Sequence, residues 1–488
     1  MLLVPDLNEH SETPYYIQLY DYLAKAILSG ALQSGTRLPS IRRLAGLCGI
    51  SATPVELAYQ QLLAEGFIAS KPRSGYYILP VHREGSPAAA GERPSPAPRP
   101  ITPRDSRPYA YDFHISRNDF SLFPHKIWRS LYQEQLANPD LLQYGDPQGE
   151  PALRESIAAH LRQFRGLRCT EKQIVIGGDQ YTLCSLLCLL LKGRVSGLGI
   201  EDPGYHLLPA AFRRSGYGIK PIPLAEDGLQ IDKLYSSGAD AVYISPSHQF
   251  PRGMTMPITK RLALLDWARS TGGYIIEDDY DGEFRYHGRP IPALQGLAEG
   301  SPVIYMCSFA QSVTPALCIH YMVLPEELLP DYHSLRSELY LEHSASRLHQ
   351  IALHYFMERG HFEKHLRRMR LLYQRKHDLL LRSVRQHFGD AAVLSGTDAG
   401  FHLLLTFKPP AAEIGSRVSN RVSNSTSAKE LAAIAEAEGI RVTPMSYTWW
   451  TKPDYDESEF ILGFGGIAED LIDEGIRRLA GVWLGYMD

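Results

Sequence analysis

Apolar residues recur at helical spacing near the start of the chain. From Pro14 to Leu28, the positions Ile17, Tyr20, Leu23, Ala24, Ile27 and Leu28 share a helix face, and Gly30 supplies a stop. Ser40 precedes Ile41, Leu44, Ala45 and Leu47 as an N-cap precedes a short helix. Cys48-Gly49-Ile50 makes a turn. Ser51 then caps a third helix through Val55, Leu57, Ala58, Leu62 and Leu63, which Gly66 ends. Phe67-Ile68 and Tyr76-Tyr77-Ile78 read as short strands around a loop over Lys71–Gly75.

Farther along, the pattern changes to short apolar runs alternating with helical segments. Gln173–Ile176, Ala241–Ile244, Tyr274–Ile276, Val303–Met306 and Ile319–Val323 are strand candidates; helices are expected from about Gln180 and over Ile258–Arg269. That alternation predicts an α/β domain, a mainly parallel sheet covered by helices. A long helical stretch follows Leu341. A smaller α+β portion comes next, with strands near His402–Leu405 and Arg441–Thr443. The segment Arg-Val-Ser-Asn occurs twice from Arg417, a local duplication expected in a polar surface loop.

Composition divides the chain. Val81 to Pro108 holds seven prolines in 28 residues and no apolar periodicity, so it reads as an extended linker. We therefore expect a domain over 1–80, a linker over 81–108 and a large domain over 109–488. The formal net charge of −4 does not advertise a nucleic-acid binder, so any basic surface must be local. The six cysteines include no Cys-x-x-Cys pair, which suggests neither a disulfide framework nor a metal site. Cys184 and Cys188 read as small buried residues on a helix face. Met1 to His10 lacks the basic start and apolar core of a signal peptide. The longest apolar run, near Leu183–Leu191, is about half what a spanning helix needs. A reduced, cytoplasmic protein without a membrane partner is expected.

Two short helices around a tight turn, followed by a hairpin, make a winged helix-turn-helix. Its second helix, here Ala52–Glu65, suits a major groove about 12 Å wide. Between Gly35 and Gly75 stand five basic residues (Arg37, Arg42, Arg43, Lys71, Arg73) against two acids, Glu56 and Glu65. Arg37 precedes the second helix, Arg42 and Arg43 lie on it, and Lys71 and Arg73 sit on the wing, all placed to neutralise phosphates. Ser51 and Thr53, opening the third helix, would reach base edges. The run Gly35-Thr36-Arg37-Leu38-Pro39-Ser40 to Leu44-Ala45, then Ser51, Val55, Ala58-Tyr59, Leu62, Glu65-Gly66 and Ser74-Gly75, resembles the GntR family of bacterial regulators. The resemblance implies double-stranded operator DNA as partner, with Ser40 and Gly75 also at the binding face. Ala52 stands where the family usually has an arginine, so relatives do not supply the operator sequence.

Further motifs stand at predicted strand ends, where open α/β sheets place ligands. They are Tyr144-Gly145-Asp146-Pro147-Gln148-Gly149, Glu201-Asp202-Pro203-Gly204-Tyr205, Ser245–Pro251, and Glu277-Asp278-Asp279-Tyr280-Asp281. Acids and aromatics there imply a cleft, and spacing alone names no ligand. Residues 109–488 resemble the fold-type I aminotransferase domain of MocR-type regulators, which join it to a GntR-type reader by a linker. The resemblance implies pyridoxal phosphate. Asp278 would pair with the pyridine nitrogen, Tyr280 would approach the phenolic oxygen and Tyr205 would stack on the ring. Gly178, Asp179 and Gln180 would cradle the phosphate at a helix N-terminus, Ser308 would contact it, and Tyr144 would reach it from a neighbouring subunit.

The family's strand is followed by a lysine, then an arginine seven residues later and a glycine. Here the segment reads Ser308-Phe309-Ala310-Gln311, then Cys318, Ile319 and His320. Gln311 thus falls at the Schiff-base position, and a carboxamide is neither nucleophile nor general base. Cys318 removes the guanidinium that would pair with phosphate. His248 or His320 could supply charge to an anion, although a lone histidine is more often structural. No catalytic residue is assigned. Arg359 to Arg385 holds nine Lys/Arg against two Asp/Glu, read as the solvated face of a long helix or else a second DNA contact.

These readings point to a DNA-binding transcription regulator with a homodimeric, aminotransferase-like domain. That domain would sense a small effector without transamination, its pyridoxal phosphate non-covalent or lost. The alternatives are a pyridoxal-phosphate enzyme with a DNA-binding appendage and a domain that only dimerises.

Overall fold

The computed structural model describes residues 7–8, 11, 13–71, 74–80, 109–286, 291–298, 300–339, 344–408, 427–451 and 458–485. Two compact units divide the chain, Met1–Asp105 and Ser106–Asp488, and each is taken by itself. The expected linker 81–108, the duplication at 417–424 and Arg73 lie outside the described residues.

The first unit holds helices α1 (Tyr15–Leu28), α2 (Ile41–Cys48) and α3 (Ala52–Ala64), then strands β1 (Ile68–Lys71) and β2 (Gly75–Ile78), paired antiparallel. Its core gathers Leu19, Leu23, Leu44, Val55, Tyr59, Leu62, Ile68 and Ile78. Burying each large side chain is worth about 1.5–3 kcal/mol. The turn between α2 and α3 needs Gly49, whose φ of 68° lies in the left-handed region. Ser40 caps α2 as its sequence suggests, its hydroxyl accepting from the Arg43 N–H at 3.3 Å. Ser51 stands at the N-cap of α3, but its side chain makes no capping bond. The reason is local: Pro54 occupies the third helical position and has no N–H to donate.

The second unit is built on an eight-stranded sheet. Its strands are β3 (Ile174–Gly177), β4 (Gly197–Asp202), β5 (Gly218–Ala225), β6 (Gly228–Leu229), β7 (Ala241–Ile244), β8 (Tyr274–Asp278), β9 (Val303–Ser308) and β10 (His320–Val323). Their spatial order is β3-β10-β9-β8-β7-β4-β5-β6, in which only β10 and β6 run against the rest. Helices such as Gln180–Leu190 and Ile258–Thr271 connect them. Strands buried on both faces explain the unbroken apolar runs Val-Tyr-Ile and Ile-Tyr-Met. Cys184 and Cys188 are buried on the Gln180–Leu190 helix, as their spacing suggests.

Helices Arg347–Glu358 and His361–Phe388 lead into a smaller antiparallel sheet of β11 (Ala392–Ser395), β12 (His402–Phe407), β13 (Thr443–Pro444) and β14 (Glu459–Gly463), ordered β11-β12-β14-β13. The strand expected at Arg441–Thr443 is two short pieces: Ile440–Arg441 pairs with Tyr111–Asp112, and β13 pairs with β14. The basic stretch on helix His361–Phe388 is mixed. Lys364, Arg367, Arg368 and Arg385 are exposed, whereas Lys376 is buried and paired with Asp119 at 2.5 Å. Among the described residues no helix is long and apolar enough to cross a membrane.

Candidate functional site

Register across the sheet assembles a cavity. Gly177 on β3 lies opposite His320 on β10, His320 opposite Ser308 on β9, and Met306 on β9 opposite Asp278 on β8. The ends of neighbouring strands thus bring residues separated by more than 100 positions to one edge. A cavity of about 250 Å³ opens there, lined by Gln180, Tyr205, Ser245, Phe250, Asp278, Tyr280, Ser308, Gln311 and His320, with Phe401 and His402 from the smaller sheet's side. An engineered cavity of about 150 Å³ holds benzene, so this one has room for a single substituted ring.

Asp278 is the acid of the cavity. It is 6% exposed, and its carboxylate accepts from the Tyr243 hydroxyl and from Gln180 Nε2 at 3.3 Å. The Tyr205 hydroxyl donates to Gln180 Oε1 at 3.3 Å, linking the aromatic wall to the acid. Burial pushes Asp278 up to about 6, against the lowering effect of the Tyr243 bond. Glu201 lies deeper; it accepts from the Ser245 N–H at 3.1 Å, and burial pushes it up to about 8. Tyr205, Phe250 and Tyr280 stand edge to face, with centroids 6.1 and 6.4 Å apart.

Behind Tyr280 stands His248. Its Nδ1 is 2.8 Å from an Asp281 carboxylate oxygen and 3.0 Å from the Tyr280 hydroxyl. A single ring nitrogen serves one proton, so an Nδ1–H given to Asp281 leaves the Tyr280 proton for the cavity. His248 itself does not line the cavity; it contacts the Tyr280 hydroxyl, and Tyr280 does line it. The loop Ser245–Pro251 sets it against Asp281, where it orients Tyr280. Gly400 permits this packing, because a Cβ there would fall 2.1 Å from His248. Tyr243, Phe250, Phe401 and His402 were not singled out as ligand contacts from sequence. The signal available for Tyr243 was an acid on the adjoining strand that required a donor.

The other sequence candidates are placed unevenly. Gln180, Tyr205, Asp278, Tyr280, Ser308 and Gln311 line the cavity; Gly178, Asp179 and Tyr144 do not. Gly178 sits at the start of the Gln180–Leu190 helix, where an added Cβ would meet only Ser344 O, at 3.9 Å. Asp179 caps that helix, accepting from the Thr182 N–H at 2.7 Å, so a carboxylate already stands where a phosphate was expected. Tyr144 is 67% exposed.

On the first unit, Arg37, Lys71, Gly75 and Tyr77 cluster at the wing. Arg37 bridges to Tyr77, its guanidinium lies 3.3 Å from a Cβ built on Gly75, and Lys71 Nζ is 4.7 Å from the Tyr77 ring centre. Arg42 and Arg43 are exposed on α2, as are Ser51 and Thr53 at the start of α3. Ser40 is exposed too, with its hydroxyl engaged as the cap of α2.

Residues 15–78 match the gntR family of bacterial regulatory proteins, and residues 113–455 match aminotransferase class I and II. The HTH-type transcriptional regulator YdeL of Bacillus subtilis is 37% identical over 99% of this chain and 100% of its own. The chain belongs to the GntR-type transcription regulators of the MocR kind. The probable rhizopine catabolism regulatory protein MocR of Rhizobium meliloti is 31% identical over 98% of this chain and 95% of its own. For the large unit of this regulator, the kynurenine aminotransferase of Pyrococcus horikoshii shares the fold, with a TM-score of 0.67 at 22% identity over 78% of this chain and 92% of that one.

The aminotransferase family implies pyridoxal phosphate, and the cavity can be tested for it. Asp278, Tyr280 and Tyr205 offer partners for a pyridine ring. Among the described lining residues there is no lysine to bond an aldehyde and no lysine or arginine to meet a phosphate. Burial lowers His320, which keeps its imidazole neutral. Cys318 is exposed and its thiol turns to Pro315 O at 3.7 Å. Among the described lining residues a pyridine ring thus finds partners, whereas a phosphate finds no cationic side chain and an aldehyde no amine.

Proposed function

We propose that this regulator binds an operator through residues 1–80 and senses a small ligand in the domain of residues 109–488 without transamination, the two joined by the 81–108 linker. The observation carrying this reading is Gln311, facing the cavity where the resemblance puts the Schiff-base lysine. A carboxamide cannot form an imine or move the proton of a transamination. Asp278, Tyr280, Tyr205, Gln180, Ser308 and Gln311 hold the ligand, with Gly178 and Asp179 at its rim and His248 orienting Tyr280. Arg37, Arg42, Arg43, Lys71 and Arg73 meet phosphates, while Ser51 and Thr53 face bases. The protein acts in the cytoplasm as a homodimer, in which Tyr144 approaches the second copy's cavity. The proposed test selects bound duplexes from a random pool with the full chain, then assays the same preparation for amino-group transfer. Sequence-specific binding without transfer is expected; transfer at any measurable rate would overturn the non-catalytic reading.

A further inference from the structure

We infer that the cavity takes a small organic cation bearing no phosphate, its protonated nitrogen paired with the Asp278 carboxylate between aromatic walls. This assignment rests on reading the domain as a non-catalytic sensor, and it names the ligand class that such a sensor accepts.

Charge gives the first reason. The cavity holds a carboxylate at its floor and, among its described lining residues, neither lysine nor arginine. The buried guanidinium of Arg165 is committed elsewhere, to Asp279 at 2.7 Å and Ser247 at 2.7 Å, and lines a separate small void. The N-terminus of the Gln180–Leu190 helix would favour an anion, but the Asp179 carboxylate occupies it. A phosphate carrying about −1.5 to −2 charges would meet the Asp278 carboxylate and no cationic side chain among the described lining residues.

Shape and hydrogen bonding give the second. Tyr205, Phe250 and Tyr280 line the cavity and stand edge to face with one another, an aromatic wall of the kind that attracts a desolvated cation. Gln311 lines the cavity, and its Oε1 is buried with no hydrogen-bond partner, an acceptor left unsatisfied beside the ligand space. Burial makes ionised Asp278 costly, and a cation against its free oxygen offsets that cost. Glu201, pushed up to about 8, stays protonated at neutral pH and leaves Asp278 as the ionising acid.

A matched pair tests the assignment. Pyridoxamine and pyridoxamine 5′-phosphate differ only in the phosphate, and neither has an aldehyde that could react with surface amines. Calorimetric titration of the full chain should show pyridoxamine binding at least about tenfold more tightly. Asp278→Asn should lose most of that binding. Cys318→Arg, which returns a guanidinium near the cavity without touching Asp278, should shrink the preference. Equal or tighter binding of the phosphate form, no binding of either, full binding by Asp278→Asn, or an unchanged preference in Cys318→Arg would each overturn the assignment. Operator binding is measured on the same preparation. Its absence would overturn the regulator reading, and a phosphate preference beside intact operator binding would overturn the ligand class alone.

Discussion

The wing and the cavity are both functional surfaces, but they are built by opposite means. The wing is local: Arg37, Lys71, Gly75 and Tyr77 lie within 41 positions of one another on a small frame, and the basic side chains are exposed. The cavity is non-local: Gln180, Asp278 and Gln311 meet only because strands far apart in sequence adjoin in the sheet. Its acid Asp278 and the deeper Glu201 are buried, and burial holds both above the ordinary carboxylate range. Exposed charges can be removed without cost to the fold. Buried ones cannot, because their partners are left unpaired.

That contrast has measurable consequences. The largest effect is expected at Arg165, which is 3% exposed and holds Asp279. Arg165→Ala should destabilise the large unit by about 3–5 kcal/mol in urea unfolding. A loss under about 1 kcal/mol would show that the network is not cooperative. Next, Arg37→Ala combined with Arg43→Ala and Lys71→Ala should weaken operator binding about 100-fold or more and flatten its salt dependence, with thermal unfolding unchanged. Unfolding at lower temperature would erase the distinction between the two surfaces.

A smaller effect is expected from pH. Glu201 binds its proton more tightly folded than unfolded, so between about pH 4.5 and 8 the folded state holds more protons. Its contribution to stability is present at low pH and lost as pH rises through about 8. Glu201→Gln should therefore raise the thermal midpoint by a few degrees at pH 8 and change it less at pH 5. The smallest effect separates two serines. Ser40→Ala removes a capping bond and should cost about 1 kcal/mol, whereas Ser51→Ala removes none and should cost under about 0.5 kcal/mol.

The same contrast decides what could be read from sequence. In the first unit, caps, a left-handed glycine and helical spacing all act within a few residues, so its elements were legible to within two or three positions. Central strands such as Ala241–Ile244 announced themselves as apolar runs. Gly218–Ala225 did not, because Lys220, Pro221 and Pro223 break the pattern in a half-exposed strand. At the site, Asp278 and Tyr280 were legible from motifs at a strand end. Tyr243 was not, since a strand buried on both faces gives no alternation to say which side its hydroxyl takes. His248 was assigned to the ligand for its chemistry, and only tertiary packing turns it to Asp281.

One measurement reaches the central claim, that the cavity binds without chemistry. The purified full chain is titrated with pyridoxal phosphate while its absorption spectrum is followed, then supplied with an amino acid and a keto acid. The expected result is no imine band and no amino-group transfer. An imine band that bleaches on adding the amino acid, with transfer to the keto acid, would contradict it and place a reactive lysine where Gln311 faces the cavity.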